Sequence, residues 1–172
     1  MVTDSASWQA GRGPIGFLPA ALFRDRRPLG AILVGWLVSL AGSVALGFVL
    51  THARSGGPVG PGAELATAPA PAVLVGLALF SPVVETLIMA GILDLLRHRL
   101  GAWQAVLASA ALWGVCHSLV SPWWGAVIWW PFLIFSTIYV TWRPHGFWRA
   151  AGIVATVHML QNIGPALAIA FG

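Results

Sequence analysis

The chain has 172 residues, 58% of them apolar and only 8% charged, with a mean hydropathy of +0.84. Soluble domains carry about 25% charged residues, so a water-exposed globule is excluded, and the same composition excludes disorder. The formal charge of +4 comes from nine arginines and no lysine, set against five acids. These arginines fall between apolar runs instead of forming one face, so they carry no nucleic-acid signal and serve as topology markers. The partner that composition names first is the lipid bilayer, and the arginine-only usage points to a GC-rich, bacterial source and its inner (plasma) membrane.

In chain order, residues 1–28 read as a cytoplasmic tail holding Arg12, Arg24, Arg26 and Arg27, with a short apolar patch from Phe17 to Phe23 that suits the membrane interface. No signal-peptide core or cleavage site is visible there, so the first span is expected to stay as an anchor. Residues 29–172 are expected to form a single transmembrane helical domain. The fold class is all-α, a polytopic bundle of about five spans at ~20 residues each.

The first span is Leu29–Leu50, in which Gly35, Ser39, Ser43 and Gly47 recur every fourth residue. Such a small-residue stripe lets a neighbouring helix approach closely. Residues 51–64 carry Arg54, Gly56, Gly57, Pro58, Pro61 and Glu64 and read as a loop. The second span runs from about Pro71 to Leu96. Pro82 lies inside it, and in an α-helix would leave the Ala78 carbonyl without its donor and bend the helix just before Glu85. The remaining spans are Ala102–Leu119, Trp123–Thr141 and Trp148–Phe171, the fourth containing Pro131.

Five crossings put the tail and the 97–99 and 143–149 arginines on one side and leave Arg54 on the other, which fits a cytoplasmic N-terminus. Trp103, Trp142 and Trp148 then fall in the inner aromatic belt, and Trp123 and Trp124 in the outer one. Asp94, His98 and His145 lie near the interface and read as solvated. Cys116 is alone, cannot form an intrachain disulfide and reads as packing.

Three ionisable residues lie well inside the spans: Glu85, His117 and His158, with Asn162 one helical turn beyond His158. A charge at the bilayer centre costs at least ~2.5 kcal/mol, so such residues face a cavity or one another. Measured from the arginine-bearing ends at ~1.5 Å per residue, Glu85 lies ~18 Å deep, His117 ~21 Å, His158 ~15 Å and Asn162 ~21 Å. Three helices thus bring four polar groups to one layer. Trp113 and His117 share a helix face, as do Ala151, Ala155, His158 and Asn162. A carboxylate can take a proton from water, imidazoles can hold that water, and an amide with a histidine N–H can stabilise an oxyanion. This set suffices for hydrolysis without a cofactor, and does not by itself identify the bond broken.

Three short motifs carry these residues: Glu85-Thr86-Leu87-Ile88-Met89-Ala90, Trp113-Gly114-Val115-Cys116-His117 and His158-Met159-Leu160-Gln161-Asn162. They resemble, in order and spacing, the Glu-Glu-x-x-x-Arg, Phe-x-x-x-His and His-x-x-x-Asn/Asp motifs of the CAAX protease and bacteriocin-processing family, glutamic-type intramembrane proteases. The resemblance covers residues 70–165. It implies a CAAX-protease-like core, a membrane-embedded or membrane-proximal peptide as substrate, Glu85 as the water-activating base, His117 as its partner, and His158 with Asn162 as the oxyanion site. The family's second glutamate is Thr86 here and its arginine is Ala90. That departure supports an alternative, a non-catalytic scaffold or immunity protein binding a peptide or protein partner in the same cavity. A third reading makes His117 and His158 haem ligands, or zinc ligands with Glu85, although no His-Glu-x-x-His motif is present.

Overall fold

The computed structural model describes Trp8, residues 14–53, Gly60 and residues 62–172, the side chains of residues 63 and 64 excepted. Arg12, Arg54, Gly56, Gly57, Pro58 and Pro61 lie outside the described residues, as does the Glu64 side chain. Five long helices follow one another: α1 (Pro28–Ala53), α2 (Ala70–Leu96), α3 (Ala102–Ser118), α4 (Pro122–Trp142) and α5 (Phe147–Phe171). All regular structure among the described residues is helical. Proline opens α1 and α4, where its missing N–H is no loss. Gly146 separates α4 from α5 at φ 108°, a conformation that side chains with a Cβ rarely adopt.

Four helices are long and apolar enough to cross a membrane: α1, α2, α4 with the turn that follows it, and α5. The chain is therefore an integral membrane protein by length and composition. The expected third span is a helix of 17 residues, ~25 Å long against a hydrocarbon core of ~30 Å.

Helix α4 is the centre of the bundle. It packs against all four other long helices, most extensively against α3. Every residue from Pro131 to Trp142 is buried, the pattern of a helix surrounded on all sides. Lipid is as apolar as leucine, so this packing rests on van der Waals fit and hydrogen bonds between helices. Trp130 Nε1, for example, donates to the Val38 carbonyl of α1 at 3.0 Å. Gly125 lets α4 approach α3: a Cβ there would overlap Ser118 Oγ and the Gly114 carbonyl. Of the small stripe on α1, Gly35 and Ser39 are buried and Ser43 accepts from Gln161 Nε2 at 3.2 Å, whereas Gly47 has no close neighbour.

The N-terminal apolar patch docks on protein. Ile15, Leu18, Leu22 and Phe23 are buried, and Trp8 packs edge-on against Phe23. Trp8 Nε1 donates to Thr141 Oγ1 at 3.1 Å, and the Thr141 hydroxyl lies 2.8 Å from the Leu22 carbonyl. Phe17 stays exposed and stacks on Trp130. Irregular backbone is tolerated at membrane depth where protein covers it, and α4 supplies that cover.

An ion pair and a histidine–carboxylate contact gather the arginine-bearing segments at one end of the bundle. Arg143 donates from Nε and Nη2 to the Asp94 carboxylate at 2.8–2.9 Å. His145 Nε2 meets Asp25 Oδ2 at 2.7 Å. Of the three residues expected as solvated, His98 and His145 are exposed, His145 while in contact with Asp25, and Asp94 is half-buried in its pair with Arg143. The His145 bond also holds the Asp25 carboxyl below the usual carboxylate range. Trp142, expected as a lipid-interface anchor, is instead fully buried beneath the Arg149 guanidinium, 5.3 Å from its ring. Trp148 is exposed, as an interface anchor should be.

Candidate functional site

Helix α2 is not α-helical throughout. From Leu74 to Phe80 it is wound as a π-helix, and Ser81 N–H reaches back five residues to the Gly76 carbonyl. That winding leaves the Leu77 carbonyl facing Pro82, which has no N–H. The π winding thus sets Leu77 opposite Pro82, one residue before the Ala78 position that an α-helical reading selects. Asn162 Nδ2 fills the vacancy by donating to Leu77 O at 3.1 Å across the α2–α5 interface. Single-turn π segments of this kind recur beside functional sites.

One turn after the π segment, Ser81 Oγ donates to Glu85 Oε1 from four residues away on the same face. The other carboxylate oxygen, Oε2, lies 3.9 Å from His158 Nε2, and the glutamate side chain is 23% exposed while the histidine is buried. The opposite ring nitrogen, Nδ1, is 3.4 Å from Thr86 Oγ1, itself buried. His158 is thus held between two consecutive residues of α2, with Phe135 packed on its ring at 4.6 Å.

His117 is placed differently. Its Nδ1 lies 2.8 Å from the Trp113 carbonyl. A carbonyl only accepts, so Nδ1 carries a proton and Nε2 is the ring nitrogen turned away from the Trp113 carbonyl. Trp124 meets the ring edge-on at 4.6 Å. Phe132 of α4 touches both imidazoles, at 5.9 Å from His117 and 5.4 Å from His158. The structure therefore joins Glu85, His158 and Asn162 at the α2–α5 interface and couples His117 to them through an aromatic ring.

Beside this pair, Val83, Thr86 and Leu87 face Trp148, Ala151, Gly152 and Ala155 across a groove of about 170 Å³. Ala151 and Ala155 are the small stripe read from the sequence. Thr86 is the groove's link to His158.

Sequence reasoning missed Ser81, although its spacing of four from Glu85 marks it as a same-face partner. It treated Thr86 as a departure from a motif, whereas Thr86 is a hydrogen-bond partner of His158. Cys116 is exposed on the outside of α3. No three His, Cys, Asp or Glu side chains come together as a metal-holding group among the described residues, so the zinc reading has no third ligand beside Glu85 and His158. Compared with family models, with curated proteins and with solved structures, the chain matches none of them.

Proposed function

We propose that the protein is an intramembrane endopeptidase in which Glu85 activates water to hydrolyse a membrane-embedded or membrane-proximal peptide bond. The observation that carries this reading is the pairing of Glu85 Oε2 with His158 Nε2 at 3.9 Å inside a lipid-facing bundle. That separation is too long for a direct hydrogen bond and is one that a single water bonded to both atoms spans. Ser81 fixes the far carboxylate oxygen, so Oε2 remains the basic atom. With the Nε2 proton directed at the reacting centre, Nδ1 accepts from the Thr86 hydroxyl, which sets the tautomer.

In this mechanism Glu85 takes a proton from water as the oxygen attacks the peptide carbonyl. His158 N–H supports the developing oxyanion, and the glutamic acid returns the proton to the leaving amine. One Asn162 N–H is held by Leu77, so its amide acts first as a positioning group for the turn that presents Glu85. His117 Nε2, the nitrogen not engaged by Trp113, is the polar atom offered from the α3 side. The motif resemblance supports the same assignment, with α3 as the fifth crossing, a CAAX-protease-like core and the arginine-rich end cytoplasmic.

A second reading, a non-catalytic peptide-binding scaffold, is favoured by the Asn162–Leu77 bond, which engages the expected oxyanion amide in backbone structure. The two separate on Glu85→Gln at matched protein levels. Loss of proteolysis with retained folding supports the peptidase, and full function in that variant supports the scaffold.

A further inference from the structure

We infer that the arginine-bearing end of the bundle is a binding surface for the headgroups of anionic phospholipids. The inference is independent of the proposed hydrolysis. The two acidic side chains described at that end are already engaged, Asp94 with Arg143 and Asp25 with His145. The turn Arg143–His145 is consequently a hub: Asp25 ties to it the segment carrying Arg24, Arg26 and Arg27, and Asp94 ties to it the end of α2 that carries Arg97 and Arg99. Those five arginines and Arg149 are all exposed. They form a rim of like charge with no acid among the described residues left to balance it, and a one-signed field of this kind concentrates anions beside it.

The partner's chemistry follows from the side chains. A guanidinium presents a planar fork of donors that meets phosphate oxygens in pairs. Trp148, 76% exposed on the first turn of α5, marks where hydrocarbon gives way to headgroups. Basic side chains at this level bind anionic leaflets with an energy that adds arginine by arginine. A helical bundle four of whose helices are long enough to span a bilayer puts such headgroups beside the rim.

The test uses the full chain in phosphatidylcholine vesicles carrying brominated phosphatidylglycerol or brominated phosphatidylcholine, read by quenching of tryptophan fluorescence. Preferential quenching by phosphatidylglycerol is expected, declining as salt is raised toward 1 M. The Arg24→Gln, Arg26→Gln, Arg27→Gln triple variant and the Arg97→Gln, Arg99→Gln double variant lower the preference, by up to about five-fold for each arginine removed. The corresponding Arg→Lys sets, which keep the charge but not the paired contacts, fall between wild type and the Gln sets, and millimolar inorganic phosphate leaves the preference unchanged. Equal quenching by the two lipids would overturn the inference, as would a preference that ignores salt and the Gln variants, or one that free phosphate abolishes. If a Gln variant does not fold, the wild-type lipid ratio, its salt dependence and the Lys sets still decide.

Discussion

The Asn162 side chain donates to the Leu77 carbonyl at 3.1 Å, completing a helical turn that Pro82 cannot complete itself. A carbonyl left without a donor in a membrane interior costs about 1–3 kcal/mol. Asn162→Leu is therefore expected to destabilise the bundle by that amount. Asn162→Asp, which sets an acceptor against the carbonyl, should be worse. Thermal or denaturant unfolding in detergent checks both, and wild-type stability in Asn162→Leu would contradict the role.

Thr86 Oγ1 is the hydrogen-bond partner of His158 Nδ1, at 3.4 Å. Thr86→Val keeps the volume and removes the hydroxyl. Under the proposed mechanism it lowers turnover about tenfold or more without abolishing it, in line with loss of a tautomer-setting partner. Thr86→Ser should retain most activity. Equal rates for Val and Ser would remove Thr86 from the mechanism.

The close contact of α3 with α4 depends on glycine. A Cβ at Gly114 would stand 3.0 Å from Trp129 Cβ, and one at Gly125 would overlap the Gly114 carbonyl. Gly125→Val is expected to cost about 1–3 kcal/mol through overpacking. Gly152→Ala, which meets open space, should change stability by less than about 1 kcal/mol. Paired unfolding curves test the contrast.

The Asp25–His145 pair predicts a pH signature for docking of the N-terminal segment. The folded Asp25 carboxyl is held below its ordinary value, chiefly by the His145 hydrogen bond. Its contribution is therefore present above the unfolded-state pKa of about 3.9 and is lost as pH falls through the lower folded value. The pair is partly exposed and worth about 1 kcal/mol at most. The stability difference between wild type and Asp25→Asn should be seen at pH 6 and shrink below pH 4. A difference that grows on acidification would contradict the pairing.

Much of the helical layout was legible because apolar runs here are bracketed by arginine, glycine and proline. The expected spans agree with α1 to α5 within one residue at most ends; α1 continues three residues further, to Ala53. Of the residues matched by depth, Glu85 and His158 approach to 3.9 Å across the α2–α5 interface, while Asn162 engages the Leu77 carbonyl of the same interface. What depth cannot give is which way a side chain faces around the bundle axis. His117 turns its Nδ1 to its own helix and shares with His158 the Phe132 ring. The π winding was hidden because it depends on Asn162 arriving from α5, a tertiary partner for a local defect. Docking of Ile15, Leu18 and Leu22 was hidden for a related reason: a short apolar patch suits lipid and protein equally well by composition.

Under the proposed mechanism, Glu85 is the group that makes this bundle a hydrolase. N-terminal peptide mapping tests it most directly, on membranes of cells lacking the protein and complemented with wild type or with Glu85→Ala at matched levels. The mechanism predicts new peptide termini with wild type that are absent with Glu85→Ala. Identical termini in both, with both versions restoring the deletion phenotype, would contradict it and leave the cavity as a binding site.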